Sequence, residues 1–531
     1  MNKDDFWARL SERRLTRRRL LASGALTGAG LAAAAVMGCG GDEEEGASAQ
    51  PSAGEAPTLK HGALTYAVNS QGASATLSPN TSISSFATIY DSLTRIPDEG
   101  LEKLEPGLAT SWQLDKPTRW VFTLREASWS DGKPFTAEDV KYTFDYIADA
   151  NNKSVMIGRV ATVDSVEIID KKTVAFNTKG PDPLLHGRNS EIPILPKHIL
   201  GDPSLGDQSL ATKPIGTASY VVVDYSRGAS LKLKASPSSW RGTRGVDEAN
   251  QLVIEDGQTR VAAFEAGDVA YINFVPLPDI ERLRGLKNSI VRKPESNLND
   301  GYAMALFDPP FKDVRVRMAV NQAVNLELTA KTVFFDLPKV LQGQVLTEST
   351  FGFNPNLKAY KFDPSESRRL LKEAGFGDGF STKIQYRAYY LQSKPYVEAI
   401  ADYLKDVGIK AEIEPMEINI WRDGYYGRTK RAGLFGATFS GGYDASFAFQ
   451  WHLSDNPGKW YARKDFDDAY NAAVAEFDLE KRKRAWWRCT EIQNTDPPMM
   501  FGVEQITAIA YRSDKIKKIG KGLVLDQVEL A

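Results

Sequence analysis

The chain is short of the residues that staple or metallate a fold. Its 531 residues hold two cysteines, Cys39 and Cys489, and four histidines, His61, His186, His198 and His452. Two cysteines make no disulfide framework, so stability has to come from a hydrophobic core, which this length permits. The histidines fall at no metal-ligand spacing, and no metal site is expected. Catalytic signatures are lacking as well: no G-x-S-x-G, no H-E-x-x-H and no phosphate-cradling G-x-x-x-x-G-K is present. Neither an enzyme nor a cofactor is expected. Charge of one sign is also missing, since 66 Lys and Arg face 68 Asp and Glu. The net charge of −2 leaves no basic footprint for nucleic acid. What is present is an ordinary globular composition, 42% hydrophobic and 25% charged, on a chain long enough for two or more lobes.

The first 58 residues stand apart. Thr16-Arg17-Arg18-Arg19-Leu20-Leu21 leads into a mildly apolar run from Leu20 to Met37, about long enough to span a bilayer. Arg17 and Arg18 resemble the pair of a twin-arginine export signal. Val36-Met37-Gly38-Cys39 resembles a lipobox, in which Cys39 is lipidated and becomes the first residue after cleavage. On this reading residues 1–38 are a signal peptide. Residues 39–58, acidic and then rich in Ser, Ala, Pro and Gly, are a disordered tether. Several acyl chains together hold a soluble domain at a membrane surface, where one chain binds reversibly. A retained transmembrane anchor and an ordinary cleaved signal are the other two readings of the run. With Cys39 lipidated, Cys489 has no partner and is expected as a buried thiol in the helical run Lys481 to Gln493.

The strongest local pattern runs from Leu108 to Ile147. Trp120-Val121-Phe122-Thr123-Leu124-Arg125 mixes β-branched and aromatic residues in rough alternation, which predicts a strand buried on one face. Ser130-Asp131-Gly132-Lys133-Pro134 predicts a turn. Thr136 sits three residues before Asp139, the spacing of a capping box, and Val140, Phe144 and Ile147 continue at helical spacing. The same residues, SW, a strand ending in L-R, then W-x-D-G-x-P-F-T-A-E-D-V, resemble the signature of the family 5 extracellular solute-binding proteins. These are the dipeptide, oligopeptide and nickel receptors of bacterial import systems. Other runs fit the resemblance. Pro214 to Tyr220 is similar to P-x-G-T-G-P-Y, Ser239-Trp240-Arg241-Gly242 to Y-W-x-G, and Pro310 to Val320 to the run that opens the second lobe.

Element signals alternate along the chain. Strands are predicted at Gly62 to Asn69, Tyr220 to Tyr225, Ser230 to Ala235 and Gly301 to Phe307, with helices at Gln258 to Ala266 and Tyr396 to Gly408. Ile409 to Pro415 reads as a strand, and Met499 to Tyr511 as one continuous strand returning to the first lobe. The resemblance implies an α/β, two-lobed periplasmic-binding-protein-like fold, class II and of the large three-subdomain type, with a ligand cleft at the hinge. The expected first lobe comprises 59–100, 205–298 and 497–531, with 101–204 as its extra subdomain and 299–496 as the second lobe. The chain then crosses near Asn299 and returns near Asp496, and two crossings make a hinge.

The resemblance also implies a function. It is that of an exported, lipid-anchored, monomeric receptor at the outer face of the cytoplasmic membrane or in the periplasm. Such a receptor closes on a peptide or similar small solute and passes it to the transmembrane subunits of an ABC permease. A sensory receptor of the same fold and an oligosaccharide-binding protein are the alternatives. Relatives that bind peptides carry an acidic residue in a G-W-x-x-D-like run, because a buried ammonium needs a counter-charge. Here the matching run is Thr438 to Asp444: Phe439 falls at the Trp, Gly442 at the Asp, and Asp444 is two residues late. The expected ligand residues are Trp421, Phe439, Ser440, Gly442, Tyr443 and Asp444, with Ser70 and Gln71 from the loop after the first strand.

Overall fold

The computed structural model describes residues 62–69, 77–78, 86–96 and 104–531, less 203, 243–244, 295, 389–392, 428–430, 440–441, 443, 457, 459 and 521–522. Alternation builds the first sheet: in Gly62–Val68 the side chains of Leu64, Tyr66 and Val68 fall on one face, and all three are buried. Seven strands follow in the order 289–292, 509–512, 271–272, 62–68, 246–253, 230–235, 220–226. Gly62–Val68 pairs in parallel with Val246–Val253 and Tyr271–Ile272, and the remaining joints are antiparallel. Ser289–Arg292 lies two antiparallel joints from Tyr271–Ile272 and so runs parallel to it. Val68, Val253, Ile272 and Arg292 therefore end at one edge.

The second lobe carries a five-stranded sheet in the order 409–416, 380–387, 434–437, 299–304, 499–504. Its first three strands are mutually parallel, and Asn299–Met304 is antiparallel to both neighbours. Helix Ser393–Asp406 buries Tyr396, Val397, Ile400 and Leu404 at helical spacing. Gly408, at φ +94°, then turns the chain into Ile409–Met416, a conformation that a Cβ disfavours. Arg387, Met416 and Ala437 end at the edge where Asn299 begins. In both sheets the carboxyl ends of the parallel strands thus face the connections between the lobes. The two-lobed α/β architecture is the one expected.

Those connections differ from expectation in one respect. The continuous strand Met499 to Tyr511 is two strands: Met499–Glu504 pairs with Asn299–Met304, and Ile509–Arg512 pairs with Ser289–Arg292. The second sheet therefore keeps the chain through Glu504, past the boundary expected at 496, and the crossing is residues 505–508. Ile506, Ala508 and Ala510 keep a period of two through the crossing, so alternation gave no mark of where one ladder stops. The Gln505 amide donates to Leu298 O at 3.0 Å and ties the two crossings together.

The extra subdomain has a four-stranded antiparallel sheet, 109–116, 119–124, 173–178 and 163–170. Arg119–Leu124 buries Trp120, Phe122 and Leu124, matching the predicted alternation. Helix Ala137–Ala148 starts after Thr136, and the Asp139 carboxylate accepts the Thr136 amide at 2.8 Å and its hydroxyl at 3.1 Å. Val140, Phe144 and Ile147 are buried against the sheet, each contributing about 1.5–3 kcal/mol. A buried ion triad closes the first lobe: Arg241 pairs with Asp91 and Asp526, and Trp240 Nε1 donates to Asp91 at 2.8 Å. It holds the C-terminal tail to a segment more than four hundred residues earlier in the chain.

Candidate functional site

In open α/β sheets ligands gather where parallel strands end, and here both lobes bring such ends to the same connections. On the first-lobe side two loops leave the edge, one after Val253 and one after Ile272. Arg260, 1% exposed, holds them. Its guanidinium donates to Ile254 O at 2.6 Å, Glu255 O at 3.1 Å, Asn273 O at 3.0 Å and Phe274 O at 2.9 Å. Burial lowers its pKa, with nearby Glu255 and Asp256 opposing, and the guanidinium stays charged because its ordinary value is so high. Four carbonyls offset the lost water. The clamp also fixes Phe274 at φ +45°, a left-handed backbone that costs about 1–3 kcal/mol in a non-glycine residue.

The second-lobe edge is built from amides, one ion pair and aromatic rings. Arg387, last residue of its strand, reaches past Ala437 to Asp300 at 3.0 Å, with both side chains buried. Burial raises the Asp300 pKa and Arg387 opposes the rise. Asn299 Oδ1 accepts the Phe439 amide at 3.1 Å, and its Nδ2 donates to Phe439 O at 3.1 Å and Val345 O at 2.7 Å. Asn297, within the crossing, donates to Gly442 O at 3.2 Å. The strand start thus holds Phe439 through Asn299, and the crossing holds Gly442 through Asn297.

The expected residues fall in three groups. Trp421 is half-buried at this edge, its Nε1 donating to Gly436 O at 2.7 Å and its ring stacked on Tyr425 with 4.9 Å between centroids. Gly442 is also at the edge, at φ +51°, and a Cβ there would lie 2.7 Å from the Phe447 ring. Phe439 and Asp444 instead turn inward. Phe439 is 0% exposed, with its ring among Tyr425, His452 and Trp460, and so offers no face to a solute. Asp444 is 1% exposed and accepts Ser446 N at 2.9 Å and Trp486 Nε1 at 3.4 Å, with Arg482 at 3.5 Å. Burial raises its pKa, and Arg482 opposes the rise. Both residues are committed to the core by these partners. Ser70, Gln71, Ser440 and Tyr443 lie outside the described residues, as do Arg17, Arg18 and Cys39.

Sequence reasoning missed Arg260, Asn297, Asn299, Asp300 and Arg387. One signal was available: Asn299-Asp300 opens the apolar strand Gly301 to Leu306, where polar residues mark a strand end rather than its middle. Among the described residues no group of three or more His, Cys, Asp or Glu is placed to hold a metal ion. No helix among them is long and apolar enough to cross a membrane. Cys489 is buried in helix Leu479–Thr495, and burial pushes its thiol pKa up.

Comparison with known proteins gives a consistent picture. The sequence model for bacterial extracellular solute-binding proteins, family 5 Middle, matches residues 103–463. The dipeptide-binding protein of Escherichia coli is 26% identical over 467 residues, 80% of this chain and 85% of that one. A putative ABC transporter peptide-binding protein of Brucella ovis is 27% identical over 359 residues, 65% of this chain and 67% of its own. Among solved structures, a periplasmic binding protein from Helicobacter pylori in complex with the peptide STSA superposes with a TM-score of 0.78 at 22% identity, covering 89% of this chain and 98% of that one.

Proposed function

Because the chain belongs to the bacterial extracellular solute-binding proteins of family 5, we propose that it captures a small solute of the peptide class between its lobes. It then hands the solute, unaltered, to an ABC permease. The observation that carries this is the pairing of two carboxyl-end edges across two hydrogen-bonded crossings, a geometry suited to closing around a ligand. Trp421 and the Gly442 main chain are the second-lobe contacts. Ser70, Gln71, Ser440 and Tyr443 join them as the sequence reading places them, while Phe439 and Asp444 support the edge from beneath. Melting curves across a dipeptide panel test the reading, since a ligand of the folded state raises the melting temperature. Unchanged curves, or a bound compound recovered chemically altered, would end it.

A second reading is favoured by position 442. No side chain fits there beside Phe447, and Asp444 already faces Arg482, so a counter-charge for an ammonium is not supplied by this run. A solute without a free amino group suits it better. N-acetylated dipeptides matching or exceeding their free counterparts in affinity decide for this reading. Much weaker binding on acetylation decides for free peptides.

The same proposal extends to the N-terminus and the partners. Arg17-Arg18 directs export, Cys39 carries the lipid that tethers a monomer to the membrane, and the closed lobes meet the permease. Labelling with radioactive palmitate should follow Cys39 and vanish in Cys39→Ser. Deletion of the chain should abolish uptake of the solute, whereas loss of signalling with intact uptake points to the sensory alternative.

A further inference from the structure

One face of the first-lobe sheet encloses a cavity of about 210 Å³. Its scale is that of a small organic group, since an apolar cavity of roughly 150 Å³ holds benzene. Val68, Leu231, Leu233 and Leu525 supply apolar wall, and no charged side chain among the described residues lines it. The cavity runs from mid-sheet, where Tyr66 and Gln251 are partners in register, to the carboxyl edge at Val68 and Asn273. It therefore reaches the edge that faces the lobe connections.

Two amide groups in its wall are incompletely paired. The Tyr66 hydroxyl donates to Gln251 Oε1 at 3.1 Å, and the Gln251 Nε2 hydrogens have no acceptor among the described residues, although the side chain is 6% exposed. Asn273 Oδ1 accepts the Asn69 amide at 3.1 Å. A main-chain N–H only donates, so that bond fixes which way the Asn273 amide points and turns its Nδ2 away. That nitrogen, too, has no acceptor among the described residues. Two spare donors in a cavity walled by aliphatic and uncharged polar side chains call for an acceptor oxygen on an uncharged body. A carboxylate or an ammonium there would be desolvated with no counter-charge.

We propose that this cavity is the first lobe's subsite for the captured solute, taking an uncharged end group that bears a carbonyl or ether oxygen. The proposal rests on the solute-binding reading and adds the chemistry of one end of the solute. Benzamide is a probe of matching size and character, titrated into the full chain by ligand-observed NMR. Saturable binding is expected, with benzoate and benzamidinium weaker by on the order of tenfold or more. Gln251→Leu keeps the volume and removes the donor, so it should weaken benzamide roughly fivefold while leaving toluene unchanged. Leu233→Trp fills the cavity and should abolish binding. Should that variant fail to fold, Leu231→Phe narrows the same wall and serves instead.

Absence of saturable benzamide binding overturns the proposal, as does equal binding to the filled variant or to the charged analogues. Melting curves with the dipeptide panel, run on the same samples, separate this failure from the other. Solutes that stabilise the filled variant and the parent equally remove the subsite and keep the solute-binding reading. Benzamide binding without a shift from any solute keeps the cavity as a binding site and removes the reading it rests on.

Discussion

The two lobes make the same object, a stiff sheet edge beside a hinge, from different chemistry. In the first lobe the work is done by buried charge: Arg260 satisfies carbonyls of two loops, and Arg241 gathers Asp91 and the tail residue Asp526. In the second, beside the one buried pair Arg387–Asp300, most of it is done by aromatic area and amides. Tyr425, Phe435, Phe439, Trp460 and Trp486 are all buried in one cluster, to which Asn299 stitches the hinge strand. A buried guanidinium is directional and fails sharply when a partner goes. A ring cluster is non-directional and fails in proportion to the volume removed. The difference gives each lobe its own signature in mutation experiments.

The sharpest break in the comparison should come from Arg241→Met. It leaves two buried carboxylates unpaired and should cost about 3–5 kcal/mol in urea unfolding. A cost under about 1 kcal/mol, the range of exposed pairs, would show the triad to be solvated. In the second lobe Trp486→Ala removes a fully buried indole and its donor to Asp444, again about 3–5 kcal/mol. The two losses should add, because they fall in different lobes.

Acid should sharpen the contrast further. His452 is buried among rings, its Nδ1 set 3.2 Å from Ala448 O, and burial lowers its pKa from 6.5 to about 3. In the unfolded chain it takes up a proton below about 6.5, while in the fold it stays neutral down to about 3. Stability from this residue is therefore complete at neutral pH and drains away as the pH falls through that window. Between pH 7 and pH 5 the loss should be about 2 kcal/mol. Carboxylates whose pKa is raised by burial, such as Asp300 and Asp444, act in the opposite sense, so the test is a difference. His452→Phe should flatten the slope of unfolding midpoint against pH relative to the parent. His186 in the extra subdomain, stacked on Trp120 and lowered to about 4 mainly by burial, should show a smaller version.

Smaller effects belong to the stitching itself. Asn299→Ala strands the Phe439 amide and two carbonyls and should cost about 1–3 kcal/mol, with faster hydrogen exchange at Phe439. Asn297→Ala removes only the bond to Gly442 O, about 0.5–1.5 kcal/mol. Its readout is solute affinity rather than stability. Unchanged affinity would mean that the crossing does not position Gly442.

Legibility followed range. The capped helix at Thr136, the half-buried strand at Trp120 and the glycine stop at Gly408 were readable because each is settled within a few residues of chain. The run Thr438 to Asp444 was not readable in the same way. Phe439 and Asp444 sat at suggestive spacings, but whether a ring meets solvent or Trp460 depends on segments far off in sequence. Arg260 looked like any helical arginine, and only the return of the loop after Ile272 gave its guanidinium carbonyls to bind.

By itself the sequence determined much of the order of elements and membership of a two-lobed family, since these rest on local periodicity and matched runs. The tertiary structure alone decided that Met499–Glu504 belongs to one sheet and Ile509–Arg512 to another, which residues of the second-lobe run face inward, and where the first lobe keeps an uncharged hollow. Both halves of that stretch, around Phe501-Gly502-Val503 and Ile509-Ala510-Tyr511, carry strand-forming residues. The choice of ladder lies with the partners, Asn299–Met304 and Ser289–Arg292, and pairing is a property of two segments at once.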